Sequence, residues 1–178
     1  MLELSSNTIK VLGIFGRLSP DLESFLNNIE KQYSHKPEGD IYNIFRHLTL
    51  TFIPNASVTD IRKQLDLLRD LNQFLPLKIK VNEAIIKEEE SMPGAEHVAV
   101  TFNLSETKEL VEFVRKRAGE TTVATWYIKL IWFVPKKYQN NAIKELSQLK
   151  ELEFTDFYLC ANKQDEVNTI YSTQYFSL

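Results

Sequence analysis

The segment RHLTLTFIP, residues 46–54, alternates between polar and apolar side chains. The polar set is His47, Thr49 and Thr51, and the apolar set is Leu48, Leu50 and Phe52. Such alternation predicts a half-buried β-strand, because successive side chains of a strand point to opposite faces. An imidazole and a hydroxyl two residues apart then project into the same space. Folding does not require a histidine there, so His47 and Thr49 are candidate site residues.

The bulk composition limits the classes of protein and partner. The chain has 178 residues, 43% of them hydrophobic, which suits one domain with a real core. The formal net charge is −3, so no global basic field would hold a long nucleic-acid duplex, and any nucleic-acid contact must be local. The one cysteine, Cys160, lies in the apolar run FYLCA and is expected to be a buried thiol. A lone cysteine forms neither an internal disulfide nor a metal cluster.

The sequence also predicts where the protein works. No apolar stretch approaches the length of a transmembrane helix. The N-terminal residues MLELSSNTIK lack the charged and apolar regions of a signal peptide. We therefore expect a soluble, cytoplasmic monomer with no membrane partner.

Apolar runs and capping signals predict alternating strands and helices. Strands are predicted at residues 8–15, 46–53, 77–86, 97–103, 124–134, 154–160 and 167–177, and helices at 20–33, 57–75, 105–117 and 135–149. Ser19 favours the start of the first helix, and Ser57 with Asp60 three residues later resembles a capping box. The turn-rich segments 34–41 and 87–96 predict loops.

Two parts of the chain repeat the same order of elements. VLGIFGRLSPDLESFL, residues 11–26, and VAVTFNLSETKELVEF, residues 98–113, are each an apolar strand, a turn with Leu-Ser, and a helix. Residues 46–68 and 126–149 then each contain a strand, a proline and another helix. The chain thus has the order β-α-β-α twice, with extra strands, and a repeat of this kind constrains the fold. We expect residues 1–178 to form a single α+β domain of two pseudo-symmetric lobes.

A duplication places equivalent strands side by side around a pseudo-twofold axis, so that their polar faces share one cleft. The strand at 46–53 then has the strand at 125–134 as its counterpart. In the second strand we assign Ile128, Leu130 and Trp132 to the helix-packing face, and Tyr127, Lys129 and Ile131 to the cleft. Pro54 and Pro135 differ from this alignment by one residue, so a bulge is expected near Phe133.

On these residues the chain resembles the 2H phosphoesterase superfamily, which includes the 2′-5′ RNA ligase-like proteins and cyclic phosphodiesterases. The superfamily is named for two H-x-T/S-x motifs, one in each lobe of a duplicated fold. HLTL at residues 47–50 matches the first motif, and the order of elements matches over nearly the whole chain. The resemblance implies two antiparallel sheets around a central cleft, with helices on the outside.

The resemblance also implies a mechanism without a metal or another cofactor. In the family, one histidine acts as general base, the other as general acid, and the hydroxyls hold the phosphate oxygens. The second motif here is YIKL, residues 127–130, so Tyr127 replaces the histidine and Lys129 the hydroxyl residue. A phenol has a reference pKa of about 10, so at neutral pH it can donate a proton but is a poor base. We assign catalytic roles to His47, Thr49 and Tyr127, and substrate binding to Lys129, Thr51 and Arg46.

Several other residues are weaker candidates for the same site. His97 is an alternative second histidine, but in the repeat it aligns with the first strand, which favours a position at the sheet rim. His35 lies in a polar loop and is expected to be solvated. Trp126 and Trp132 favour core or rim packing over stacking on a base. Arg17 could reach a phosphate, although an arginine near a strand end is usually solvated.

Three functions remain open at this point. The first is a phosphodiesterase with an altered acid, acting on 2′,3′-cyclic or 2′-5′ phosphodiesters of RNA ends or small nucleotides. The second is an inactive relative that binds or sequesters such a nucleotide. The third is a protein-interaction module that kept only the fold. Affinity for a cyclic nucleotide separates the third from the others, and turnover separates the first from the second.

Overall fold

The computed structural model describes residues 9–35, 46–88, 96–163 and 166–172. Within these ranges the chain forms eight strands and four α-helices: β1 (Ile9–Leu18), α1 (Pro20–Tyr33), β2 (His47–Thr49), β3 (Ile53–Ala56), α2 (Val58–Leu71), β4 (Leu77–Lys87), β5 (His97–Phe102), α3 (Lys108–Ala118), β6 (Tyr127–Ile131), α4 (Lys136–Leu146), β7 (Glu151–Lys163) and β8 (Glu166–Ser172). The predicted order of elements is therefore observed. Much of the two predicted loops, at 36–41 and 89–95, and the end of the last predicted strand, at 173–177, lie outside the described residues, as do residues 42–45.

The strand predicted at 46–53 is interrupted. β2 ends at Thr49 and β3 begins at Ile53, and between them Thr51 makes an isolated bridge with Thr122. The second site strand, β6, is also shorter than predicted and ends at Ile131. Both site strands are therefore short segments at the ends of the sheet.

Local signals set the helix boundaries. The Ser57 hydroxyl accepts from the Asp60 backbone N–H at 3.3 Å, and the Asp60 carboxylate accepts from the Ser57 N–H at 2.8 Å, which is the predicted capping box of α2. At α1, in contrast, the Ser19 side chain makes no capping hydrogen bond, although Pro20 occupies the first turn as expected. None of the helices in the described ranges is long and apolar enough to cross a membrane.

Replacing Ser57 by alanine is expected to lower the free energy of unfolding by about 1 kcal/mol, because α2 loses its cap. Hydrogen bonds from Ser57 lower the pKa of Asp60. The Asp60 part of the stabilisation is therefore present at neutral pH and is lost as the pH falls below about 4. Urea denaturation at pH 7 and pH 3 measures both effects. Asp66→Asn, which removes an exposed ion pair with Arg69 on the same helix, is the control and is expected to change stability by less than about 0.5 kcal/mol.

The sheet shows the duplication in its strand order. All described pairings are antiparallel, and the order is β2-β1-β7-β4-β5-β6, with β3 beside β1 and β8 beside β7. Exchanging β1 with β5, β2 with β6 and β4 with β7 gives the same strand order, read from the opposite end of the sheet. β4 of the first half therefore pairs with β5, the first strand of the second half, and β7 of the second half pairs with β1, the first strand of the first half. Because the start of β4 pairs with β7 and the rest with β5, the two predicted sheets are joined into one open sheet.

The register shows which residues of β1 and β5 lie opposite the candidate site residues. On β1, Arg17 lies opposite His47. On β5, Thr101 lies opposite Tyr127. In the same way Phe15 lies opposite Thr49, and Ala99 lies opposite Lys129. Tyr127 and Lys129 thus pair with the first strand of their lobe, as His47 and Thr49 pair with the first strand of theirs, and their residue-by-residue correspondence stays a prediction.

The bulge lies earlier in β6 than predicted. Ala99 faces Lys129 and Val98 faces Ile131, which leaves Leu130 as the extra residue. Beyond it, Phe133 has a positive φ of 52°. The bulge reverses the sides of the residues that follow, so Ile131 is buried in the core and Trp132 lines the cavity described below. The predicted sides of Ile131 and Trp132 were therefore wrong.

The core lies between the helices and one face of the sheet. Leu48, Leu50, Ile128 and Leu130 are buried there, as the alternation predicted. Phe52 is the exception, since it is 45% exposed. It follows the end of β2, where the regular strand geometry that sorts side chains between two faces no longer applies.

Candidate functional site

A cavity of about 390 Å³ lies between β2 and β6, the two terminal strands of the sheet path. His47 and Thr49 reach it from β2, and Tyr127 and Lys129 reach it from β6. The segment before β6 forms most of the remaining wall, with Val123, Ala124, Thr125 and Trp126. Ile128 in β6 and Trp132 just after it complete the wall. The structure thus places His47, Thr49, Tyr127 and Lys129, the main residues of the site predicted from the sequence, around one cavity.

Backbone hydrogen bonds hold the two lobes together around this cavity. The Val123 N–H donates to the Leu50 carbonyl at 2.9 Å, and the Phe52 N–H donates to the Thr121 carbonyl at 2.9 Å. At the cavity wall, the Thr125 hydroxyl donates to the Thr49 carbonyl at 3.4 Å. The segment leading into β6 is therefore tied to the segment leaving β2, which fixes the spacing of the candidate residues.

His47 is half-buried and packs edge-on against the ring of Phe15, with a centroid distance of 4.6 Å and an interplanar angle of 78°. Phe15 lies on the adjacent strand, β1, directly opposite Thr49. This contact restricts the rotation of the imidazole while part of the ring remains open to the cavity. A restrained but accessible imidazole is what proton transfer to or from a bound group requires.

Tyr127 and Lys129 are both held by aromatic contacts. The Tyr127 ring packs edge-on against Trp126 at 4.9 Å, and the Lys87 ammonium lies 4.8 Å from the Tyr127 ring centroid. The Lys129 ammonium lies 5.1 Å from the centroid of the Trp132 ring. Both distances are within the range of cation–π contacts, so Lys129 at the cavity and Lys87 beside Tyr127 each rest on an aromatic ring.

Thr51 does not line the cavity. It is fully buried, its hydroxyl accepts from the Ile14 N–H at 3.0 Å, and it donates to Gln64 Oε1 at 2.6 Å. The predicted substrate-binding role of Thr51 has no support in this geometry, because its hydroxyl is used by the core and the strand alternation ends before it.

Arg46 does not line the cavity either. Its side chain is 6% exposed and binds the carboxylates of Glu23 and Glu30 on α1. Its other guanidinium contacts are the Asn27 side-chain oxygen at 2.8 Å and the Leu130 carbonyl. Arg46 therefore ties α1 to β6, and a phosphate in the cavity would not reach it without breaking this cluster.

The two remaining histidines lie away from the cavity wall. His97 is fully buried and packs against Trp132 at a centroid distance of 4.7 Å, so it lies behind a wall residue and not at the predicted sheet rim. Its burial argues against a direct contact with a ligand. His35 is exposed, as predicted, and stacks on Tyr138 at 5.2 Å.

Arg17 is the residue that sequence reasoning undervalued. Being opposite His47 on β1, it shares a sheet face with the imidazole. It lies 4.0 Å from the Asp156 carboxylate and 4.9 Å from the Tyr158 ring centroid, so it is held and not simply solvated. Only the strand pairing reveals this, since Arg17 and His47 are 30 residues apart in the sequence.

Cys160 is less buried than the sequence predicted. The thiol is free and half-buried, not fully buried. Burial raises its pKa, and burial also raises the pKa of the neighbouring Tyr158 phenol. Neither group is therefore prepared as a nucleophile at neutral pH.

The chemical character of the cavity suits an anion. Its described lining residues include Lys129 and His47 but no aspartate or glutamate. In the described part of the chain, no group of three or more His, Cys, Asp and Glu side chains is placed to hold a metal ion. Imidazole, hydroxyl, phenol and ammonium groups can all donate hydrogen bonds to phosphate oxygens, and the charged donor makes the strongest of these.

Comparison with known proteins places this geometry on a known fold. Usb1 from Kluyveromyces marxianus, solved with uridine monophosphate, superposes with a TM-score of 0.51 and 10% identity over 92% of this chain and 98% of Usb1. LigT from E. coli, solved with 3′-AMP, superposes with a TM-score of 0.56 and 14% identity over 94% of this chain and 95% of LigT. No protein-family model and no curated protein sequence matches the chain.

Usb1 and LigT are both members of the 2H phosphoesterase superfamily. The α+β class and the duplicated, antiparallel 2H phosphoesterase fold expected from the sequence are therefore confirmed. At 10% and 14% identity, this similarity concerns the fold, and the roles of individual residues must be argued from the cavity itself.

Proposed function

We propose that this protein binds the phosphate of a nucleotide or RNA end in the cavity between β2 and β6, the ligand being a 2′,3′-cyclic or 2′-5′ phosphodiester. The observation that carries the proposal is the convergence of His47, Tyr127 and Lys129 on one cavity whose described lining has no carboxylate. Usb1 and LigT, which share this fold, were solved with uridine monophosphate and 3′-AMP; both are nucleotide monoesters, so they support a nucleotide ligand and not the phosphodiester in particular.

In this proposal each cavity residue has a distinct role. Lys129 supplies the positive charge for the nonbridging oxygens, and the Thr49 hydroxyl donates a hydrogen bond to one of them. His47 takes the proton from an attacking water, and the Tyr127 phenol donates a proton to the leaving oxygen. The bond from phosphorus to the leaving oxygen breaks as the bond to the water oxygen forms, giving a phosphomonoester and a free hydroxyl.

A second candidate is a protein that binds the same ligand without turning it over. It is favoured because β6 contributes a phenol and an ammonium to the cavity, where β2 contributes an imidazole and a hydroxyl. Binding is common to both candidates, whereas hydrolysis depends on the weaker of the two proton-transfer groups. We therefore expect binding to be readily measured and hydrolysis to be slow.

The binding proposal is tested by isothermal titration calorimetry with adenosine 2′,3′-cyclic monophosphate and 3′-AMP. The double variant His47→Ala, Lys129→Ala is expected to bind at least about tenfold more weakly, because it loses a charged donor and an imidazole that contact the phosphate. Lys78→Ala is the control, since it removes the same charge from an exposed lysine paired with Glu151 and Glu153 outside the cavity lining.

Two outcomes would count against the proposal. If the natural chain binds neither nucleotide nor a short RNA with a 2′,3′-cyclic end, the fold serves another purpose, such as contact with a protein. If binding is unchanged in the double variant, the phosphate lies elsewhere. Circular dichroism of the double variant checks that it is folded before either conclusion is drawn.

A further inference from the structure

We propose that Trp126 is the base-stacking surface of this cavity, so that the ligand is a nucleotide held by its base as well as by its phosphate. This inference rests on the proposed function and adds a specificity-determining residue to it. The indole of Trp126 lines the cavity and yet is 44% exposed. A tryptophan so exposed on a concave wall leaves apolar, planar surface in water that a flat ring would cover.

Contacts to its backbone and to its ring restrain Trp126. Its carbonyl accepts a hydrogen bond from the Phe102 N–H at 2.9 Å, which anchors the backbone to β5. Its ring meets the Tyr127 ring edge-on at 4.9 Å, and the Lys87 ammonium lies 5.7 Å from its centroid. A ring already fixed in place loses little conformational freedom when a base stacks on it.

The two lobes differ sharply at this position. Arg46 precedes His47 just as Trp126 precedes Tyr127, but Arg46 is buried in the ion cluster with α1 while Trp126 faces the cavity. Most of the cavity wall also comes from the second lobe, since only His47 and Thr49 come from the first. The bulk of a ligand therefore lies beside the second lobe, where the indole is.

The charges nearby suit a nucleotide better than an apolar ligand. Lys129 lies on the same strand as Tyr127, and Lys87 lies over both Tyr127 and Trp126. An aromatic surface beside ammonium groups is the usual arrangement for binding a nucleotide by stacking and charge, with tolerance for base identity. The cavity volume of about 390 Å³ is within the range for small-ligand sites.

The test measures calorimetric affinity for 3′-AMP and for ribose 5-phosphate, which has no base. Trp126→Ala is expected to weaken 3′-AMP binding about tenfold and to leave ribose 5-phosphate unchanged, while Trp126→Phe restores most of the affinity for 3′-AMP. Phe52→Ala is the matched control, because Phe52 is 45% exposed and does not line the cavity. Quenching of tryptophan fluorescence by 3′-AMP is expected in the natural chain and to be strongly reduced in Trp126→Phe.

The outcomes separate this inference from the proposed function. If 3′-AMP binds with equal affinity to the natural chain and Trp126→Ala, the stacking surface is elsewhere although phosphate binding stands. If Trp126→Ala weakens both ligands equally, the indole acts on the cavity as a whole and the base-stacking role is wrong. If the natural chain binds adenosine 2′,3′-cyclic monophosphate but neither of these ligands, the inference is overturned and the proposed function stands; if it binds none of the three, both are overturned.

Discussion

The double variant Tyr127→His, Lys129→Thr is expected to hydrolyse a 2′,3′-cyclic nucleotide about a hundred- to ten-thousandfold faster than the natural chain. The register places Tyr127 opposite Thr101 on β5 as His47 lies opposite Arg17 on β1. A histidine at 127 would line the shared cavity from β6, as His47 lines it from β2. General acid–base assistance by a group that titrates near neutral pH accounts for the size of the expected gain.

The reason for the low expected activity of the natural chain is chemical. A phenol is protonated at neutral pH, so it can donate a proton but cannot accept one. His47 must then serve as the base, and the two groups cannot exchange roles. In the proposed mechanism Lys129 adds positive charge to the binding site, so affinity and turnover are expected to move in opposite directions in the double variant.

Steady-state release of the phosphomonoester from adenosine 2′,3′-cyclic monophosphate measures this effect. Tyr127→His alone and Lys129→Thr alone apportion the gain, and His47→Ala in the double variant is expected to abolish it. If the natural chain already hydrolyses the substrate at ordinary enzymatic rates and Tyr127→Phe has no effect, Tyr127 is not the proton donor. A folded double variant that still binds nucleotide but gains no activity would show that the cavity lacks another catalytic feature.

Replacing Arg46 by alanine is expected to lower the free energy of unfolding by about 3 kcal/mol. The side chain is 6% exposed, and its removal leaves the carboxylates of Glu23 and Glu30 facing each other without their shared cation. The guanidinium also donates to the Leu130 carbonyl at the bulge of β6, so the link between α1 and the second lobe is lost too. Leaving partly buried charges without this cation costs far more than losing a surface pair.

Chemical denaturation of Arg46→Ala measures the loss. Arg46→Lys is expected to recover little of it, because an ammonium cannot make the several fixed contacts of a guanidinium. Arg69→Ala is the control, since Arg69 pairs with Asp66 at a site where both side chains are 77% exposed, and a change below about 0.5 kcal/mol is expected. A loss below about 1 kcal/mol in Arg46→Ala would contradict the structural role assigned to the cluster.

Several features of this protein were predictable from the sequence because they depend on neighbours along the chain. Alternation in residues 46–52 placed His47 and Thr49 together on the face opposite Leu48 and Leu50, and the structure has the same arrangement. The spacing of Ser57 and Asp60 predicted the start of α2. The repeated order of elements predicted the duplication that the strand order shows, whereas the correspondence of Tyr127 to His47 stays a prediction.

Other features were decided only by contacts between distant parts of the chain. Alternation assigns a side chain to a face but does not say what covers that face, so Thr51 was predicted at the site although Gln64 and Ile14 occupy its hydroxyl. A single arginine in the sequence does not reveal that Glu23 and Glu30 will converge on it. The side taken by Trp132 depends on a bulge in the pairing of β5 with β6, which only the folded sheet specifies, because register is a property of two strands and not of either one.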